Sequence, residues 1–336
     1  MKREARFWNS IDQAKVQCML CPHRCRIAPG KRGICGVRQN EDGRLYSLIY
    51  AACSSVADDP IEKKPLYHFY PGSRVLSLGS VGCTFRCEHC QNFTISMAGP
   101  ESFGLRNIPP ETVVQMAKDH RCRGVAWTYN EPTIWHEYAF DTARLVKKAG
   151  LYTVYVTNGF IEEAPLRELA PYLDAMNIDV KAFTEEFYRK VCKARLAPVL
   201  ATCELAKKLG IHVELTYLVI PKLNENVEEV TRFCSWVKET LGAETPVHFS
   251  RFHPEYQMED TPATPIETLL ALHQVAKQVG LQYVYLGNLP HGEYENTYCP
   301  SCGTLLVERH GYATSLHAIS QGTCAKCGAP VPFRMG

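Results

Sequence analysis

The chain has 336 residues, 46% of them hydrophobic, and a formal net charge of +2. That length supports a full core and more than one domain. The near-neutral balance excludes the strong field of a protein drawn to nucleic acid or acidic lipid. The opening residues, MKREARFWNSIDQAKVQ, lack the apolar stretch of a signal peptide, and no apolar run approaches the length of a membrane span. The expected location is the cytoplasm, with neither membrane nor nucleic acid as a partner.

Residues 1–70 show no regular rhythm and carry a first group of cysteines, Cys18, Cys21, Cys25 and Cys35, followed by the segment Asp59-Pro60-Ile61-Glu62-Lys63-Lys64-Pro65. Four thiols within eighteen residues of a chain expected in a reducing compartment read as metal ligands rather than disulfides. Zinc and an auxiliary [4Fe–4S] cluster both fit, with zinc the first choice. The basic residues Arg24, Arg26, Lys31 and Arg32 beside them read as a solvated face.

From about residue 71 to 290 short apolar strands alternate with amphipathic helices. Strands are expected at 74–81, 124–128, 152–156, 175–180, 212–220, 247–250 and 282–286, and helices at 110–120, 133–149, 163–172, 184–209, 225–240 and 265–279. Lys147-Lys148 before Gly150 is a stop signal for the second helix. Thr264-Pro265-Ile266-Glu267 predicts a capping box at the start of the last. Such alternation argues for parallel strands with crossover helices. Periodicity alone leaves an open doubly wound sheet and a barrel equally open. The long stretch 91–109 is expected to be a functional loop.

The first of these strands runs into Cys83-Thr84-Phe85-Arg86-Cys87-Glu88-His89-Cys90. Three cysteines stand here with no fourth at matching spacing. A structural metal site normally closes with four protein ligands, so three thiolates on an iron–sulfur cluster leave one iron open. The alternative is a zinc site that borrows a distant fourth ligand. Further polar residues fall at later strand ends, where ligands of parallel α/β folds gather. They are Glu131 in Thr128-Tyr129-Asn130-Glu131-Pro132, Asn158 in Thr157-Asn158-Gly159, the pair Asp179 and Lys181, and His253 after the sixth strand. Without a ligand, Glu131 would be an N-terminal helix charge, Asp179–Lys181 a surface ion pair, and His253 polar surface.

Residues 291–336 carry Cys299-Pro300-Ser301-Cys302-Gly303 and Cys324-Ala325-Lys326-Cys327-Gly328. Two C-x2-C-G knuckles about twenty residues apart predict a zinc ribbon, with a rubredoxin-like iron site as the lesser alternative. The five scattered cysteines are Cys53, Cys122, Cys192, Cys203 and Cys234. The last three lie in helical patterns and read as small buried residues.

The C-x3-C-x2-C loop resembles the cluster loop of the radical S-adenosylmethionine (SAM) superfamily. Glu131-Pro132 is similar to the end of the Gly-Gly-Glu-Pro stretch of activating-enzyme relatives. Thr157-Asn158-Gly159 and Asp179-Val180-Lys181 are similar to Asp-Thr-Asn-Gly and Asp-Leu-Lys of the pyruvate formate-lyase activating enzyme. Three departures stand out: His89 replaces the usual aromatic residue before the third cysteine, Tyr129-Asn130 replaces the two glycines, and Val156 replaces an aspartate. Several stretches together resemble the radical SAM protein of the AmmeMemoRadiSam system: Cys21–Cys25, Gly33–Arg38, Asp59–Leu66, Tyr70–Gly72, Gly82–Asn92, Thr128–Thr133 and Asn296–Pro300.

The resemblance implies an α/β fold: a partial (β/α)6 radical SAM barrel over 71–290, with an N-terminal cysteine-rich metal-binding extension over 1–70 and a C-terminal zinc-ribbon module over 291–336. It implies an enzyme in which Cys83, Cys87 and Cys90 hold a [4Fe–4S] cluster. SAM would be met by Glu131 and Lys181, with His89, Asn158, Asp179 and His253 also around it, and cleaved to a 5′-deoxyadenosyl radical that takes hydrogen from a substrate. A one-electron donor such as flavodoxin or ferredoxin would supply the reductant. The substrate is read as a small molecule. Alternatives are a glycyl-radical activase acting on a partner protein, a radical methyl- or alkyl-transferase, and a non-enzymatic metal-binding adaptor.

Overall fold

The computed structural model describes residues 1–102, 104–290, 292–320 and 322–335. Its centre is a parallel sheet of seven strands: β1 (Arg74–Gly79), β2 (Gly124–Trp127), β3 (Tyr152–Thr157), β4 (Ala175–Asp179), β5 (His212–Val219), β6 (Val247–Arg251) and β7 (Val284–Gly287). Each pairs with the next in chain order. A doubly wound sheet reverses its strand order at a switch point. Here the order never reverses, so the sheet is a partial barrel. An antiparallel strand, Ser55–Pro60, closes its β1 edge. Strands covered on both faces read as continuous apolar runs, and all four residues of β2 are buried.

The crossover helices are α1 (Pro110–Asp119), α2 (His136–Lys148), α3 (Glu163–Leu169), α4 (Leu196–Lys208), α5 (Val227–Trp236) and α6 (Ile266–Val279). In α2, Tyr138, Ala139, Thr142, Ala143 and Val146 fall on one buried face, as a 3.6-residue period requires. The helix stops before Gly150 at φ +75°, where the sequence places its stop signal.

Two expectations fail. The helix expected over 184–209 breaks at Lys193, which is left-handed with φ 56°, and α4 starts only at Leu196. The turn 188–192 thereby keeps backbone carbonyls free for the cysteine loop described below. The capping box at α6 does not form. The Thr264 hydroxyl donates to Val219 O at 2.6 Å and accepts from Phe252 N at 3.0 Å instead, so it ties the loop to the sheet.

At the start of β5, away from the site, Glu214 is buried and accepts four hydrogen bonds. They come from the amides of Tyr67 and His68 at 3.0 and 2.7 Å, His212 Nε2 at 2.9 Å and His248 Nε2 at 2.7 Å. The C-terminal module contains β8 (Thr297–Tyr298), β9 (Leu305–His310) and β10 (Ala313–Leu316) in an antiparallel sheet. Arg309 anchors it to the barrel side of the molecule. The side chain is buried over the Tyr67 ring and donates to Tyr67 O at 2.7 Å and to Thr297 Oγ1 at 2.9 Å. Among the described residues no helix is long and apolar enough to cross a membrane.

Candidate active site

A cavity of about 570 Å³ opens at the carboxyl ends of the strands. Cys83, Cys87, His89, Cys90, Glu131, Asn158, Asp179 and Lys181 all line it, although they come from four different strand-end segments. His253 does not line it and is exposed on the loop after β6. A larger surface groove, about 690 Å³, lies over Arg24, Glu162 and Lys208 and contains none of these residues.

The cysteine loop leaves β1 through Gly82, whose φ is +88°. A side chain there would place its Cβ 2.6 Å from Cys35 O and 2.8 Å from Val37 Cγ1, so only glycine fits. The loop is held by backbone partners. Gly82 N donates to Ile95 O at 2.9 Å, Arg86 N to Cys192 O at 3.0 Å and Glu88 N to Val191 O at 3.2 Å. The last two acceptors belong to the broken helix segment. The Phe85 amide aims at Cys83 Sγ from 3.3 Å, and Asn158 Nδ2 lies 3.7 Å from the same sulfur. Burial, the Glu131 carboxylate and the neighbouring thiols push the Cys83 thiol up, and burial does the same at Cys90. Thiolates are disfavoured here until a cation compensates them.

Glu131 ties two strand ends together. Its Oε1 accepts from Thr133 N at 2.9 Å and Thr157 Oγ1 at 2.7 Å, and its Oε2 accepts from Asn158 N at 2.8 Å. It thus caps the turn Pro132–Trp135 and also faces the cavity. A carboxylate offers about four acceptor positions, so one on Oε2 stays open to a ligand. Burial raises its pKa while these donors oppose the rise. Asn158 supports the cysteine loop, its Nδ2 donating to Thr84 Oγ1 at 2.9 Å. Lys181 Nζ lies 3.1 Å from Asp179 Oδ2. Burial lowers the Lys181 pKa, but Asp179, Cys87 and Cys192 outweigh it and hold the group well up. The imidazole of His89 is buried with neither ring nitrogen hydrogen-bonded among the described residues.

Several lining residues escape the sequence reading. Tyr129 sits at φ 71°, costly for a bulky side chain. Its ring packs where a Cβ on Gly79 would come within 2.9 Å, and its hydroxyl donates to Asp59 Oδ2 at 2.7 Å. Asp59 also accepts from Lys63 at 3.0 Å and Lys64 at 2.8 Å. Burial lowers Lys64 to about 8 while Asp59 opposes the drop. The segment Asp59–Pro65 therefore delivers Lys63, Lys64 and Pro65 to the cavity. Asn177 and Thr216, inward residues of β4 and β5, bond to each other at 2.9 Å, and strand alternation could have found them. Cys192, read as a small buried residue, is buried, and its carbonyl holds the cysteine loop through Arg86 N at 3.0 Å. Tyr312, at the β9–β10 hairpin tip, also lines the cavity, and no local signal announces that.

The two outer cysteine groups differ in geometry. In the C-terminal group Cys299 and Cys327 sulfurs are 3.6 Å apart and Cys302 and Cys324 sulfurs 3.7 Å. All four ligand atoms lie within 4.8 Å of one another. Both knuckles turn through glycine, Gly303 at φ 69° and Gly328 at φ 74°. Cys18, Cys21, Cys25 and Cys35 instead surround an enclosed gap with Leu20, Ile27 and Ile134. Burial first, and then the charges of Cys18, Cys35 and Cys25, raise the Cys21 thiol.

The sequence profile of the Radical SAM superfamily matches residues 78–234, a span that takes in the cysteine loop and the ends of β1 to β5. Residues 78–234 are thus a Radical SAM domain, and the chain is an enzyme with homology to pyruvate formate-lyase activating enzymes. It is 48% identical over 331 residues to Uncharacterized protein MJ0808 of Methanocaldococcus jannaschii, covering 98% of each chain. It is 20% identical over 210 residues to the pyruvate formate-lyase-activating enzyme of Clostridium pasteurianum, covering 59% of this chain and 88% of that one. Among solved structures, a radical SAM methyltransferase from Sphaerobacter thermophilus superposes with a TM-score of 0.50 at 16% identity, covering 70% of this chain and 71% of that one. That likeness supports the fold alone. Membership implies a [4Fe–4S] cluster and SAM. Three thiolates on one loop, an unpartnered buried imidazole and a cavity of nucleoside size fit that pair.

Proposed function

We propose that Cys83, Cys87 and Cys90 hold the cluster and that the protein uses SAM to take a hydrogen atom from a small polar substrate. The observation that carries the reading is the convergence of the three cysteines with Glu131, Asn158, Asp179 and Lys181 on one cavity. When bound, the cluster and SAM supply reductive cleavage to a 5′-deoxyadenosyl radical. The chain's own residues bind and orient. The open position on Glu131 Oε2 accepts from the SAM ammonium. Lys181, held charged beside Asp179, meets the SAM carboxylate. Asn158 fixes the loop around Cys83, and the free ring nitrogens of His89 face the adenosine. The remaining lining, rich in Asn130, Asn177, Thr216, Ser250 and Asn288, suits a small hydrogen-bonding substrate. The C-terminal group holds zinc. A tetrahedral site with Zn–S of about 2.3 Å places its sulfurs about 3.8 Å apart, close to the spacing found there.

A second reading, a glycyl-radical activase, is favoured by the likeness to the Clostridium pasteurianum enzyme. It needs a partner protein whose loop enters the cavity and an electron donor of the flavodoxin or ferredoxin kind.

The test is 5′-deoxyadenosine release after anaerobic reconstitution with iron and sulfide, with SAM and dithionite added. The expected result is nucleoside from the native chain and none from Cys83→Ala. Equal release from both, or no SAM binding by the fully reconstituted chain, overturns the reading.

A further inference from the structure

With Glu131 and Lys181 given to SAM as proposed, and Asp179 paired to Lys181, the charged side chains left over on the cavity wall are Lys63 and Lys64. Both turn onto a single carboxylate. Lys63 Nζ donates to Asp59 Oδ1 at 3.0 Å and Lys64 Nζ to Asp59 Oδ2 at 2.8 Å. Among the described residues no other carboxylate pairs with either lysine. A pair of ammonium groups on one carboxylate leaves a positive charge uncompensated, and each ammonium has more N–H donors than Asp59 takes up. Lys64 is only 1% exposed, where an unmatched charge is costly. Burial lowers it to about 8, so at neutral pH it still carries its proton.

The placement is held from both sides. Lys64 N donates to Ile61 O at 2.8 Å, and Pro65 O accepts from Asn177 Nδ2 at 2.8 Å. From the end of β2, Tyr129 brings its ring 4.7 Å from Lys64 Nζ and its hydroxyl to Asp59. Its left-handed backbone is a strain that persists only where the surroundings over-determine it. Resting on the SAM reading above, we propose that Lys63 and Lys64 receive an oxyanion of the substrate, a carboxylate or a phosphate. Charged hydrogen bonds of this kind are the strong ones. Asn130, Ser250 and Asn288 face the rest of the molecule.

The reconstituted full chain, saturated with SAM, is titrated by calorimetry with inorganic phosphate, acetate and ethylammonium in turn. The expected result is a saturable site for phosphate or acetate and none for ethylammonium. Phosphate alone points to a phosphate ester as substrate, acetate alone to a carboxylate, and both together support the shared chemistry. Lys63→Gln should weaken the anion about ten-fold or more, the loss of one hydrogen bond to a charged group. Lys208→Gln, on the outer groove, should not. The Lys63 side chain is 43% exposed, so this variant spares the fold where a change at buried Lys64 puts it at risk. No saturable anion site, anion binding indifferent to Lys63→Gln, or equal binding of ethylammonium overturns the inference. So does a loss of SAM affinity in Lys63→Gln, which would give that lysine to SAM. Failure of the SAM reading shows separately, as a native chain that takes up its iron yet binds no SAM. The anion titration without SAM, native chain against Lys63→Gln, then still decides whether the lysines hold an oxyanion.

Discussion

The Asn158 amide donates to Glu131 Oε2 at 2.8 Å, so the carboxylate that faces the cavity also fastens the end of β2 to the end of β3. One side chain thereby both joins the strand ends and presents a carboxylate to the cavity. Glu131→Gln keeps the shape but turns an NH2 group toward a backbone donor. With hydrogen bonds to a charged group worth about 1.5–3 kcal/mol, SAM affinity should fall about ten-fold or more. Isothermal titration of the reconstituted protein measures this. Unchanged affinity would remove Glu131 from the SAM site.

Gly82→Ala should prevent assembly of the radical cluster. The new methyl would sit 2.6 Å from Cys35 O in a left-handed backbone. Iron retained after reconstitution should drop while the fold, followed by circular dichroism, stays largely intact. Full iron content would show that the loop can move away.

Glu214 makes stability sensitive to acid. Burial alone would raise its pKa, but the bonds from His212 and His248 outweigh burial and depress it well below the usual value. A group depressed in the folded state contributes stability above its unfolded pKa, about 4.3 for Glu, and that contribution is lost as pH falls through the folded value. The melting temperature should therefore decline below about pH 4.3, and Glu214→Gln should flatten this limb. At neutral pH the same variant should lose about 3–5 kcal/mol in chemical denaturation, since it breaks a buried charged network.

Lys64 gives the opposite limb. Burial lowers it to about 8, so its charge, and its hold on Asp59 and Tyr129, fades as pH rises through that value. Nucleoside formation should decline above about pH 8 for this reason. Lys64→Arg, which stays charged, should move the decline to higher pH. An unmoved limb would mean that another group sets it.

Removing the zinc proposed at Cys299, Cys302, Cys324 and Cys327 with a strong chelator should expose residues near 299–328 to proteolysis, because this small module has little core of its own. The barrel fragment should persist. Mass spectrometry of the fragments checks the boundary.

The seven parallel strands were legible because each is a short apolar run bounded by turn residues, and the cysteine loop because its spacing is local. What escaped was long-range. The break at Lys193 depends on Arg86 and Glu88 taking carbonyls from 191–192. The hydroxyl of Thr264 finds β5 rather than its own helix. Tyr129 accepts a strained backbone because Asp59, seventy residues earlier, holds its hydroxyl. His253 follows a strand end, as expected, but its loop turns outward. In each case the deciding partner is distant in sequence, where no pattern of spacing reaches.

Lys63, Lys64 and Pro65 precede the barrel, and Tyr312 follows it, yet all four help line the same hollow. The barrel supplies the floor and the flanking segments part of the walls. Substrate preference can accordingly drift through changes in the appendages while the strand ends proposed to face SAM stay fixed. A chain trimmed to its barrel would keep the reactive floor but lose part of the vessel that decides what reaches it.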